Sequence, residues 1–112
     1  MTPREMHRQQ ITRVAGELSA AIREQAQGRW SRVHTAERNE PGRHVWRFRT
    51  GPGQGERFLH IEHRAMTRDG DAAASVLLEQ LQAGRWLDRL QQGPETAVLL
   101  SLDGQLTAVP AR

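Results

Sequence analysis

Apolar residues first recur at helical spacing. His7, Ile11, Val14, Leu18, Ala21, Ile22 and Gln25 share one stripe, while Arg4, Arg8, Arg13, Glu17 and Glu24 lie largely off it. Thr2-Pro3-Arg4-Glu5 opens this segment as a capping box, with Thr2 as N-cap, Pro3 at the first helical position and Glu5 reaching back. Gly28 predicts its end. The pattern then changes to strands. The first expected strand runs from Trp30 to Arg38 and stops at the turn signal Asn39-Glu40-Pro41-Gly42. The second, His44 to Thr50, alternates His44, Trp46 and Phe48 against Val45, Arg47 and Arg49. A loop, Gly51-Pro52-Gly53-Gln54-Gly55, leads to a third strand from Arg57 to Met66, with Leu59, Ile61 and His63 on one face and Phe58, His60, Glu62 and Arg64 on the other.

Helical spacing returns after Thr67-Arg68-Asp69-Gly70-Asp71, where Asp69 or Asp71 can cap a helix. Ala73, Val76, Leu77, Leu81, Gly84, Leu87 and Leu90 form its stripe. Gly84 in the middle predicts a kink or a close backbone approach, and Gln91-Gln92-Gly93-Pro94 marks the end. The last signal is a hairpin. Strands from Thr96 to Leu102 and Gln105 to Val109 flank Asp103-Gly104, which fits a two-residue type I′ turn. Ala97 to Leu100 is apolar throughout, as expected of a strand covered on both faces.

The order α-βββ-α-ββ over 112 residues predicts a single α+β domain spanning 1–112, a mainly antiparallel five-stranded sheet with two helices packed on one face. This order resembles that of type III secretion chaperone-like domains, in element sequence alone and without their C-terminal helix. The likeness implies a fold and no activity.

Composition narrows the function classes. Without cysteine there is no disulfide framework, no zinc–thiolate site and no thiol nucleophile. No apolar run reaches the length of a membrane span, and the first ten residues lack the apolar core of a signal peptide, so a soluble cytoplasmic protein with no membrane partner is expected. All sixteen basic residues are arginine, against thirteen acids, for a net charge of +3. Arginine suits phosphate and carboxylate pairing, but this balance falls short of the basic excess of a dedicated nucleic-acid binder.

Candidate chemistry concentrates in residues 44–64. If Trp46, Phe48, Leu59 and Ile61 face the core, then Arg47, Arg49, His60, Glu62 and Arg64 share the outer face, joined by Arg32 and His34 if Val33 points inward. Trp30 or Phe58 would supply stacking for bases there. His60-Ile61-Glu62-His63 has metal-ligand residue types, but a strand splits its two histidines between faces, so a metal or polar catalytic site would need His34 beside His60 and Glu62. The glycine loop matches no phosphate-binding pattern, and Ser19, Ser31, Ser75 and Ser101 lie in no nucleophile elbow. The expectation is therefore a non-enzymatic interaction module, with no cofactor or metal, that binds a protein partner or itself through Arg47, Arg49, His60, Glu62 and Arg64. The alternative is a nucleic-acid-binding protein using the same arginine- and histidine-rich face.

Overall fold

The computed structural model describes residues 2–51, 53, 55–93 and 96–110. The expectations resting on Pro52 and Gln54 of the glycine loop, and on Pro94 as a helix stop, lie outside these residues. Helix α1 spans Pro3–Arg29, with the Glu5 amide donating to Thr2 Oγ1 at 3.2 Å as an N-cap requires. At 1.5 Å per residue its 27 residues measure about 40 Å. The helix passes over Gly28, whose backbone has no positive φ, and ends when Trp30 turns extended to lay its ring against Phe48. Packing of that ring, rather than glycine, sets the end.

Three antiparallel strands follow: β1 (His34–Glu40), β2 (Arg43–Arg49) and β3 (Glu56–Glu62). The first turn is tighter than expected. Strand β1 continues through Asn39 and Glu40, and Pro41-Gly42 alone reverses the chain, with Gly42 at φ 82° as the third residue of a type II turn requires. Strand β3 stops at Glu62, four residues short of the expected end. His63 still donates its amide to Gly42, and the chain then coils into the short helix α2, His63–Thr67.

The expected second helix is two. A 3₁₀ turn at Gly70–Ala72 leads into α3 (Ala73–Ala83), and α4 (Trp86–Leu90) follows a break at Gly84-Arg85. Neither Asp69 nor Asp71 caps with its side chain; α3 starts directly from the 3₁₀ turn. The break comes where Leu106 presses on the helix: a Cβ at Gly84 would sit 2.4 Å from Leu106 Cδ1. Trp86 is buried there, its indole N–H bonded to Gln25 Oε1 at 3.0 Å.

The helical crossover returns the chain parallel to β3, so the sheet is mixed. Strand β4 (Ala97–Leu100) pairs parallel with β3, and β5 (Leu106–Ala108) pairs antiparallel with β4, giving the order β1-β2-β3-β4-β5. The final turn is not type I′. The Gly104 amide bonds to Ser101 O at 2.9 Å, the Ser101 amide to Gln105 O, and only Gly104 of the loop has positive φ, at 81°. That is a three-residue loop, a type I turn closed by a left-handed glycine.

Strand alternation sorts the side chains. Trp46, Phe48, Leu59, Ile61, Val98, Leu100 and Leu106 turn to the helices and meet Ile11, Val14, Leu18, Ile22, Leu77, Leu81 and Trp86 in the main core. The opposite face carries no helix. A second, smaller apolar cluster lies there, Val45, Phe58 and Ala97, with Val109 packed against it. Among the described residues no helix is long and apolar enough to cross a membrane.

Candidate functional site

The register arranges the helix-free face in rows. Glu40, Arg43 and Glu62 form one end; Arg38, Val45, His60, Leu99 and Thr107 the next row; Ala36, Arg47, Phe58, Ala97 and Val109 the third; His34, Arg49 and Glu56 the other end. The structure thus places Arg47, Arg49, His60 and Glu62 together on the expected face, with His34. Arg64 is not a strand residue. It belongs to α2 and reaches back to Glu62 Oε2 at 3.2 Å.

Charge on this face is interleaved. Arg49 pairs with Glu56 at 2.9 Å, Arg47 approaches the same carboxylate at 3.9 Å, and Arg38 pairs with Glu40. Glu62 is occupied structurally: its Oε1 accepts the Leu102 amide at 3.0 Å and so ties the β4–β5 loop to β3. That backbone donor is the main reason the Glu62 carboxyl lies below its ordinary range. His60 is buried beneath these side chains. Burial, reinforced by Arg43 with its Nη1 at 3.4 Å from His60 Nδ1, holds His60 below the ordinary histidine value and hence neutral near pH 7.

Neither expected stacking aromatic is available on this face. Phe58 lies on it but is 9 % exposed, and Trp30 is on the helix side, with Arg57 over its ring at 5.5 Å. Beside Phe58 the surface dips into a depression of about 170 Å³, floored by Ala36, Val45 and Phe58 and walled by Arg38 and Arg47. His34 stands two rows from His60, and among the described residues no group of three or more His, Cys, Asp or Glu is placed to hold a metal ion.

A second place escapes sequence reasoning. On the helix side, β1 presents only Thr35, Glu37 and Asn39, opposite Phe48, Trp46 and His44. No apolar side chain of β1 fills the space under α1. Glu37 is instead held by polar partners: Ser19 donates to Oε2 at 2.7 Å, Arg23 to the same oxygen at 3.1 Å, and His44 Nε2 lies 3.1 Å from Oε1. Ser19 Oγ in turn accepts the Trp46 indole N–H at 3.0 Å. Burial raises the Glu37 carboxyl, but the bonds from Ser19, His44 and Arg23 outweigh it and leave the group below its ordinary range. As an ionised carboxylate only accepts, His44 carries its proton on Nε2, and its Nδ1 is buried without a partner.

Towards the N-terminal end of α1 this polar region opens into a cleft of about 480 Å³, with Arg4, His7, Arg8, Ile11 and Gly16 of α1 above and Glu37, Asn39, His44 and His63 below. His63 Nε2 contacts Asn39 Oδ1 at 2.7 Å. Burial, then the charges of His44 and His7, lower the His63 pKa. In the sequence the stripe opens on the polar His7 and turns apolar at Ile11, two turns into the helix, above this place.

No protein-family model, curated protein or solved structure matches this chain, so the site must be read from its own geometry.

Proposed function

We propose that the protein is a non-enzymatic interaction module that self-associates through the helix-free sheet face. The observation that carries this reading is a sheet face that, among the described residues, no helix covers, where Val45, Phe58 and Ala97 lie buried beneath arginine side chains beside a depression of about 170 Å³. An arginine-rich face over a shallow apolar depression has the composition of a modest, mostly polar interface. Strand spacing and length make it about 19 Å across and about 23 Å along.

A second copy fits the charge: the face carries four arginines (Arg38, Arg43, Arg47, Arg49) against three glutamates (Glu40, Glu56, Glu62), so it is nearly balanced and two copies can meet across it without a large like-charge penalty. A polyanion calls instead for surplus cation, and here three glutamates offset Arg38, Arg43, Arg47 and Arg49.

The test is sedimentation equilibrium over a range of concentrations. The expected result is a reversible rise from 12.7 kDa to twice that mass, lost in Arg49→Glu. A monomer at every concentration, or a dimer indifferent to Arg49→Glu, overturns the reading. Steeply salt-dependent retention on a polyanion column by a strict monomer would favour nucleic acid instead.

A further inference from the structure

The cleft beneath α1 is on the opposite side of the sheet from that interface. Two features of it have no explanation in stability. Gly16 lies inside α1, where glycine costs about 1 kcal/mol relative to alanine. No close approach requires it, since a Cβ there meets nothing within 4 Å, and Gly16 is one of the residues that line the cleft. The arginines of α1 also divide. Arg13, Arg23 and Arg29 are each ion-paired. Arg4 and Arg8, at the cleft rim, have no acidic partner among the described residues.

Core-facing polar positions like those of β1 are a defect in a purely structural strand. Here they form a floor of fixed hydrogen-bonding groups. Glu37 locks the His44 tautomer, His63 and Asn39 hold one another, and His44 Nδ1 lacks a donor. Ile11 adds an apolar wall. Cationic rim, polar floor, apolar wall and a volume of about 480 Å³ are the makings of a small-molecule site.

We propose that this cleft binds a small organic anion, a carboxylate that also carries a hydroxyl or amide group. Arg4 and Arg8 take the carboxylate, as the two unpaired guanidinium groups at the mouth. The hydroxyl or amide is read by the Asn39–His63 pair. Glu37 excludes a second negative charge from the floor, so the anionic end lies outward.

Titration calorimetry with lactate, a hydroxy-monocarboxylate, as probe, and inorganic phosphate as comparison, tests this. Lactate is expected to bind saturably, about tenfold or more weakly in Arg4→Ala/Arg8→Ala, whose side chains are exposed and not part of the core. Gly16→Leu is expected to abolish binding without lowering the melting temperature, because it fills the cleft from an unstrained helical position. Absence of saturable lactate binding up to about 10 mM, unchanged binding in Gly16→Leu, or phosphate binding as tightly as lactate each overturns the proposal. The last outcome would reduce the site to two surface charges.

Discussion

Gly84 and Leu106 touch where the helical crossover meets the last strand: a Cβ on Gly84 would lie 2.4 Å from Leu106 Cδ1 and 3.3 Å from the Gln80 carbonyl oxygen. Alanine, the best helix former, is therefore the wrong residue here. Gly84→Ala is expected to lower stability in urea unfolding by about 1–3 kcal/mol, the usual cost of overpacking a core. The same contact displaces the ordinary cap of α3 by one residue. Glycine commonly takes the left-handed position after a helix, but here Gly84 stays right-handed and Arg85 takes φ 54°. A left-handed non-glycine residue costs about 1–2 kcal/mol. Arg85→Gly is expected to recover up to about 1 kcal/mol of that after glycine's own entropic cost, and the double variant to show whether the two sites couple.

Much of this was legible from residue types, and the misses have particular causes. Period-two alternation correctly sent Trp46, Phe48, Leu59 and Ile61 to one side and Arg47, Arg49, His60 and Glu62 to the other. Alternation also ran on through His63 and Arg64, because a strand and the first turn of a helix look alike over two residues; the hydrogen bond from His63 to Gly42 that marks the boundary is long-range. Asp103-Gly104 correctly marked a turn, but the expected type I′ was wrong, because the type follows from the register of Ser101 with Gln105. The cleft was illegible because it exists only once α1 lies over β1, bringing Arg4 and Arg8 above Glu37 and Asn39.

Ser19 is the joint between helix and sheet. It accepts from Trp46 and donates to Glu37 in the same place. Ser19→Ala leaves the buried indole N–H without an acceptor and Glu37 without one of its donors. The expected cost is about 1–3 kcal/mol in urea unfolding, with a changed tryptophan emission maximum. Ser19→Thr, which keeps the hydroxyl, is expected to retain the wild-type emission. Equal emission changes in both variants would show that crowding, not the lost bond, is responsible.

Acid should destabilise the protein in two stages. His60 and His63 have folded pKa values below 6.5, their ordinary value, chiefly because the burial of His60 and the partial burial of His63 disfavour the charged form. The unfolded chain then binds more protons, so the stability they contribute is complete above pH 6.5 and is lost as pH falls through the folded values. Glu37 and Glu62, lowered from 4.5, repeat the loss in the carboxylate range. Urea midpoints are expected to fall between pH 7.5 and pH 5.5, and His60→Gln to flatten that slope. An unchanged slope would show that His60 does not carry the first stage.

Strand β3 is buried along five of its seven residues, Arg57 to Ile61. One of its edges is covered by β2, and the other only by the short parallel strand β4, which joins it from some thirty-five residues further along the chain. A long loop must close before that pairing forms. Until then, or in a chain cut before Ala97, Arg57-Phe58-Leu59-His60-Ile61 is an open edge able to template another molecule. The β4–β5 hairpin thus has two duties, supplying Val98, Leu100 and Leu106 to the core and closing the edge of β3, and proteolysis near Gly93 is expected to free that edge and seed aggregates.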